Sequence, residues 1–403
     1  MVPDGGAAGD ERRRKLGLIA LISAMGLMGR LSYEMLRSPV TPIYARHLGA
    51  PPQLIGLIVA AATISGVFLK MPAGVLGDIV GFRRLMSAGT VPKALGPFLY
   101  LVARNPLSLI AVRLFHGLST ALYAPPAAAL VAKLFPAQRG RFLGIYSAAE
   151  NAGVVLGPVV GGAALLAFGF DRTFLISGAI GVLTLIIGLV LLSRRIPEDQ
   201  PTPGRRDLPS IRRAVAEIAR QRTVLLTALA EGSLFFGFGS LQAFLPLFAI
   251  GRGIDAAAVG LIFGAQGVTS LLSRPYLGRL SDRVGRRPVI VGGLAAAAAV
   301  LLAVPWQHTE VALILLGALF GLATGAVTPA GQALIADVAR EGNLGAAMGA
   351  FGSLWDVGHA LGPICAGILR GFFSYTVVFS VIGLVIGVAL LVFGLFVREP
   401  PRS

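Results

Sequence analysis

The chain has 403 residues, 55% of them hydrophobic and only 13% charged, with a mean hydropathy of +0.79. A soluble domain carries roughly a quarter of its residues as Asp, Glu, Lys or Arg, so this composition excludes an ordinary water-soluble fold and points to a chain solvated by lipid. The net charge of +16 raises nucleic acid as a partner, but no basic face sits on a soluble segment, and no nucleic acid is expected.

Twelve apolar runs follow one another, at about 16–44, 54–76, 85–103, 107–134, 142–168, 173–193, 223–250, 256–277, 288–304, 311–338, 344–369 and 373–397. A spanning helix needs roughly 20 such residues. A transmembrane barrel would instead alternate apolar and polar residues, which these runs do not. The expected fold is therefore all-α and integral to the membrane, with twelve transmembrane helices. Basic residues crowd alternate gaps: Arg12-Arg13-Arg14-Lys15, Arg83-Arg84, Lys133, Arg139 and Arg141, the 194–222 loop, Arg279 to Arg287, Arg340 and Arg398. The other gaps hold little beyond Arg46, Arg104, Arg172, Arg252 and Arg370. Lys and Arg are retained on the cytoplasmic side, which predicts a multi-pass protein of the plasma or inner membrane with both termini in the cytoplasm. The first run is too long for a cleaved signal core and is expected to act as its own insertion signal. Cys365 is the single cysteine, so no intramolecular disulfide forms.

Helix 1 carries Arg30, Glu34 and Arg37 at i, i+4 and i+7, on one face. In hydrocarbon that face must point into the bundle or a wet cavity, either as a self-paired structural cluster or as a site for protons or substrate. The helix ends in Ser38-Pro39-Val40-Thr41-Pro42; Pro39 and Pro42 each remove a backbone donor, giving a kink that gating can use or a simple helix end. Helix 2 runs into a charged turn, Gly74 to Arg84, and its Lys70 reads as a surface anchor. Lys93 lies too deep in helix 3 to reach the surface and is expected to face a cavity. Helix 4 holds Arg113, which faces inward or snorkels, and His116, a titrating group or a packing residue. Helix 5 places Glu150 and Asn151 before Gly153, Gly157, Pro158, Gly161 and Gly162, a spacing that permits close helix contact. Glu150 is a candidate proton carrier, or a partner for an arginine of helix 1 or helix 4.

Residues 194–222 read as a cytoplasmic linker with a short amphipathic surface helix around Ile211, Val215 and Ile218. They separate an N-terminal unit, 1–193, from a C-terminal unit, 223–403. Helix 7 carries Glu231 among glycines and phenylalanines. Helix 10 ends near Asp337, expected opposite Arg283 or Arg287. Helix 11 holds Asp356 and His359, placed to share a proton or merely to pair. Helix 12 is uncharged up to Arg398 and reads as lipid-facing scaffold.

The two units repeat each other. Gly74, Asp78, Gly81, Arg83 and Arg84 belong to a turn G-x-L-x-D-x-x-G-x-R that returns 204 residues later, with Gly278, Asp282, Gly285 and Arg287. Residues 42–84 register without a gap on 246–288, and Gly157-Pro158 falls on Gly362-Pro363 after one inserted residue. Two six-helix bundles made by duplication account for this.

The chain resembles the major facilitator superfamily over nearly its whole length. The repeated turn is similar to that family's loop motif after helices 2 and 8. Arg113 and Gly117 are similar to its helix-4 motif, Gly153 to Gly162 to its helix-5 antiporter motif, and Pro39-Val40-x-Pro42 to the helix-1 signature of its twelve-helix drug/proton antiporters. The resemblance implies a rocker-switch transporter with a cavity between the bundles. It implies that Asp78 and Arg83 help lock the outward-facing state, that Arg113 takes part in proton coupling, and that Glu34 couples protons. Phe82 departs from the motif, where a basic residue is common before Arg83. With no phosphate loop for ATP, the expected function is proton-coupled efflux of amphipathic small molecules or drugs. No cofactor is expected besides the proton gradient, and the partners are the lipid bilayer, a small-molecule substrate and protons, with the chain a monomer. The alternatives are transport of an anionic metabolite or lipid-linked amphiphile on Arg30 and Arg37, and a non-transporting membrane sensor. No metal-ligand cluster or nucleophile–base spacing appears, so no enzyme is expected.

Overall fold

The computed structural model describes residues 5–193, 196, 221–338 and 344–399, and all long elements among them are helices. The expected surface helix of the 194–222 linker falls on residues outside that set, as do the side chains of Lys70 and Asp78. The path starts with α1 (Gly5–Met35), a wide turn over Leu36–Val40, and α2 (Thr41–His47). The N-terminal half continues with α3 (Pro52–Val80), α4 (Phe82–Val102), α5 (Pro106–Leu134) and α6 (Arg139–Ser193). The C-terminal half holds α7 (Arg222–Ile250), α8 (Ala256–Val284), α9 (Arg286–Ala303), α10 (Glu310–Val338), α11 (Leu344–Phe372) and α12 (Tyr375–Phe396).

Helix ends fall where the sequence supplies caps and breaks. Asn105 and Ser108 form a reciprocal cap on α5, and Asp255 and Ser374 cap α8 and α12. Gly169 has φ 74° and ψ −175°, a conformation open only to glycine. It splits α6 into two arms between the apolar runs 142–168 and 173–193. Within helix 1 the helical path breaks at Ser38 (φ −154°, ψ 130°), because Pro39 and Pro42 have no N–H to give. The Leu36 carbonyl accepts the Thr41 backbone N–H and also the Thr41 hydroxyl, at 2.6 Å. With α1 through α2 taken as one path and α6 as two, the described chain makes twelve rods. Nine helical stretches among them are long and apolar enough to cross a membrane by length and composition alone.

The duplication survives in the backbone. Gly49 and Gly253 have φ of 76° and 81°, and Gly81 and Gly285 of 93° and 108°. The second glycine of each charged turn therefore sits where a side chain is strained. Beyond Gly285 the chain folds back, so that Arg286 lies over the end of α8. It bonds Ser281 Oγ at 2.9 Å, the Asp282 carboxylate, and Asp337 Oδ2 at 3.3 Å. Asp337 is thus bonded by Arg286, which was not one of the two arginines, Arg283 and Arg287, expected opposite it. Arg287 turns to the last segment, where its backbone N–H donates to Glu399 Oε1 at 3.0 Å and its guanidinium to the Gly394 carbonyl.

Close helix packing follows the glycines. On α6, a methyl group at Gly153, Gly157 or Gly161 would overlap Leu27, Glu34 or Met35 of the first helix. On α11, one at Gly358 or Gly362 would overlap Gly232 or Phe236 of α7. The halves touch through a second, pseudo-symmetric set. Gly162 meets the Ala256 carbonyl and Gly260 the Pro158 carbonyl; Gly367 meets the Pro52 carbonyl and Gly56 the Pro363 carbonyl. All four lie toward the end that carries the 48–51 and 251–255 turns. Further along the same helices, a methyl at Gly144, Gly278 or Gly352 would meet nothing within 4 Å. The halves therefore meet at one end and part toward the end carrying the turns at Gly81 and Gly285.

Candidate functional site

The charged strip of helix 1 sits where the halves come together. Glu34 Oε1 accepts from Arg30 Nη2 at 2.9 Å and from Arg37 Nη1 at 3.4 Å. The carboxylate side chain is 4% exposed, against 27% for Arg30 and 13% for Arg37. A buried carboxylate is thus held between two guanidinium groups that keep some access to solvent. The Tyr33 ring lies 5.9 Å from each guanidinium carbon.

Arg37 also crosses to the other half. Its Nη2 lies 2.9 and 3.0 Å from the two ring nitrogens of His359 on α11. His359 Nε2 is 2.9 Å from Gln242 Oε1 on α7, and Nδ1 is 3.3 Å from Thr63 Oγ1 on α3. Phe235 and Phe238 flank the ring with centroids 6.2 and 5.7 Å away. Asp356, one turn earlier, is buried as well.

The N-terminal half holds a second polar group. Lys93 is buried, with its ammonium 3.7 Å from the centre of the Tyr123 ring, a cation–π contact worth more here than in water. Glu150 faces the same space, in electrostatic contact with Arg30 and Lys93 and with its Cγ packed by Gly26.

Other residues singled out in the sequence go elsewhere. Arg113 is 0% exposed and neither snorkels nor faces the space between the halves. It donates to the carbonyls of Ile58 at 3.2 Å and Val59 at 3.1 Å, and to Tyr100 Oη at 3.3 Å, clamping α5 to α3. Both ring nitrogens of His116 are buried and have no hydrogen-bond partner; the ring packs edge-on against Tyr33 at 4.9 Å. Asn151 spends its amide on the Ser147 carbonyl of its own helix, at 2.7 Å. Glu231 is sealed in the C-terminal half, where Oε1 accepts from Thr328 Oγ1 at 2.8 Å and Arg274 attracts it.

Gln242 escaped the sequence reading, although an amide deep in the apolar run 223–250 is the signal that betrays it. Tyr123 and Thr328 carried no signal: each is an ordinary helix residue until its neighbours are known.

Two helical halves related by an internal repeat, joined at one end around a buried ion-paired strip and parted at the other, define a membrane transporter. The model of the Major Facilitator Superfamily matches residues 18–257 and 227–403, and the chain belongs to that superfamily. It is similar to an uncharacterised MFS-type transporter of Methanocaldococcus jannaschii, with 25% identity over 86% of this chain and 91% of the relative. It is also similar to the multidrug resistance protein MdtG of Enterobacter lignolyticus, at 25% identity over 90% and 88% of the two chains. MdtG of Salmonella typhimurium gives 26% over 85% and 86%. Among solved structures, the nucleoside transporter NupG superposes with a TM-score of 0.79 at 14% identity, over 93% of this chain and 98% of that one. A bacterial homologue of the human lysosomal transporter Spinster gives 0.72 at 16%, over 96% and 94%. These two likenesses concern the fold.

Proposed function

We propose that this transporter exports amphipathic small molecules in exchange for protons, by alternating access between the two halves. The observation that carries this reading is the buried Glu34, held by Arg30 and Arg37 on the helix that reaches the other half. A proton on Glu34 would remove both ion pairs at once and bias the halves toward another arrangement. A bias of about 5.5 kcal/mol inverts a 1:99 population, and a buried ion pair that loses one partner is worth roughly 3–5 kcal/mol. The multidrug resistance proteins among the relatives support an exporter of small molecules. The excess of Lys and Arg on alternate loops supports cytoplasmic termini in a cell membrane. In this orientation the parted end opens to the cytoplasm. One chain carries both halves of the path, so a monomer suffices, and the proton gradient is the energy source.

The test is transport in proteoliposomes with a pH-sensitive dye inside. A transported substrate should move protons in the opposite direction, and Glu34→Gln should abolish that proton movement. Substrate flux with no accompanying proton flux would remove the antiport reading.

A second reading is favoured by the charge balance. Arg30, Arg37 and Lys93 bring three cations to the region, against the carboxylates of Glu34 and Glu150. An anionic amphiphile would compete with Glu34 for the guanidinium groups. Arg30→Ala would then abolish transport of anions and spare that of cations.

A further inference from the structure

Helix 1, α7 and α11 each turn one face toward the opposite half, and the contacts at the touching end identify it. Arg37 reaches His359, and His359 reaches Gln242. Residues four or seven apart share a helix face. Toward the parted end, Arg30 therefore lies two turns from Arg37 on helix 1. Phe235 lies two turns from Gln242 on α7, and Trp355 one turn from His359 on α11. Phe235 and Trp355 are both half-buried, and their rings meet edge to face with centroids 4.9 Å apart.

The internal repeat shows how differently the two walls are built at this depth. With the offset of 204 residues, Arg30, Lys93 and Tyr123 register on Leu234, Ala297 and Val327. With the one inserted residue of the last helices, Glu150 registers on Trp355. Each polar member of the N-terminal set has an apolar counterpart.

The cations of the N-terminal set keep unspent donors. Lys93 is 3% exposed, and its ammonium lies against the Tyr123 ring. Among the described residues it makes no hydrogen bond or ion pair. Helix 1 leaves room for it at Gly29, where a Cβ would stand 2.9 Å from Nζ. Arg30, the next residue, gives Nη2 to Glu34, but its Nε is buried with no hydrogen-bond partner. The two cations are within electrostatic range of each other. Buried charged donors left without acceptors are costly, and an anion between them removes that cost. On this wall Arg30, Arg37 and Lys93 face Glu34 and Glu150, so three positive charges meet two negative ones and a monoanion completes the balance.

We propose that Lys93 and Arg30 form a carboxylate subsite, that Phe235 and Trp355 receive an aromatic ring across the gap, and that the transported class is aromatic monocarboxylates. This rests on the anion reading above and adds to it a second cation, an opposite wall and the shape of the molecule.

The experiment uses the full chain in nanodiscs. The two tryptophans are Trp306 and Trp355, so in a Trp306→Phe background the fluorescence of Trp355 alone reports binding. The probes are 4-phenylbutyrate, an anion at neutral pH, its neutral amide, and butyrate, which lacks the ring. The first should give a saturable change, and the other two should bind at least about tenfold more weakly. Lys93→Gln and Arg30→Gln should each weaken 4-phenylbutyrate by about ten- to a hundredfold, the loss of a charge-assisted hydrogen bond, and leave the amide unchanged. Lys93→Met repeats the test with an apolar chain of similar length, should the glutamine variant fail to fold. Phe235→Leu should weaken acid and amide alike. Lys93 variants that bind the acid as tightly as the wild type, or a folded Lys93 variant that loses acid and amide equally, overturn the proposal. If Arg30→Gln alone is selective for the acid, the lysine subsite falls and the anion reading stands. An amide that binds the wild type as tightly as the acid removes both. No saturable response to 4-phenylbutyrate overturns the proposal, and the Arg30→Ala transport test then decides the anion reading by itself.

Discussion

The Lys133 ammonium lies 4.6 Å from the centre of the Phe82 ring, at the place in the N-terminal half that Arg286 and Asp337 occupy in the C-terminal half. Phe82 and Lys133 register on Arg286 and Asp337 with the same offset of 204 residues that relates the charged turns. The duplicated geometry carries different chemistry in the two halves, an ion pair in one and a cation over an aromatic face in the other. Phe82, which breaks the turn's basic pattern, thus has a partner of its own.

This exchange is testable in the C-terminal half, where the pair is partly exposed, at 21% for Arg286 and 42% for Asp337. Arg286→Phe alone and Asp337→Lys alone should each destabilise the protein by up to about 1 kcal/mol. The double substitution, which recreates the Phe82–Lys133 contact, should recover most of the loss. A double-mutant cycle on thermal unfolding should give a favourable coupling of roughly 0.5–1 kcal/mol.

The glycines of α6 are separable by position. Gly157→Ala drives a methyl into Glu34 Cβ, whereas Gly144→Ala adds one in open space. The first should destabilise by about 1–3 kcal/mol through overpacking. The second should be neutral or slightly stabilising, since alanine is the better helix former. Detergent-resistant thermal unfolding of the two variants decides it.

The pseudo-symmetric contacts between the halves should act alike. Gly56→Leu pushes against the Pro363 carbonyl and Gly260→Leu against the Pro158 carbonyl, so either should pry the touching end apart. In a Cys365→Ser background, with spin labels in place of Arg46 and Phe373, exposed residues on the two halves at the touching end, the distance between the labels should lengthen in both variants. The reference substitution Gly352→Ala, whose added methyl meets nothing within 4 Å, should leave it unchanged.

Arg113 should behave as a clamp. Removing it deletes three donated hydrogen bonds between α5 and its neighbours, each of which is worth about 1.5–3 kcal/mol when the donor is charged. Arg113→Ala should therefore lower folded yield severely. Arg113→Lys keeps the charge but loses the fork that reaches two carbonyls, and should fold with reduced stability. Protons moved per substrate by its folded fraction should match the wild type, and a changed ratio would assign Arg113 a part in coupling.

The sequence alone determined the class of fold, because the constraints behind it are local or repeat along the chain. Hydrocarbon demands long apolar runs, and these set the number of rods. Pro39 and Pro42 marked the interruption at the end of helix 1, and the gap between the apolar runs 142–168 and 173–193 marked the one where the structure breaks at Gly169. The 204-residue repeat exposed the two halves. The Arg30–Glu34–Arg37 cluster was legible because one helix turn brings its members together whatever surrounds them.

Tertiary structure decided which polar residues serve the space between the halves. Arg113, His116 and Lys93 look alike as isolated polar residues in apolar helices. Their rotation about the helix axis separates a clamp on α3 carbonyls, a sealed ring and an ammonium over Tyr123. The choice of Arg286 over Arg287 for Asp337 hangs on the direction the chain takes after Gly285. The meeting of Arg37 with His359 joins residues 322 positions apart. A helix sequence records spacing along its own axis, and such a contact depends on how two rods from different halves are turned toward each other.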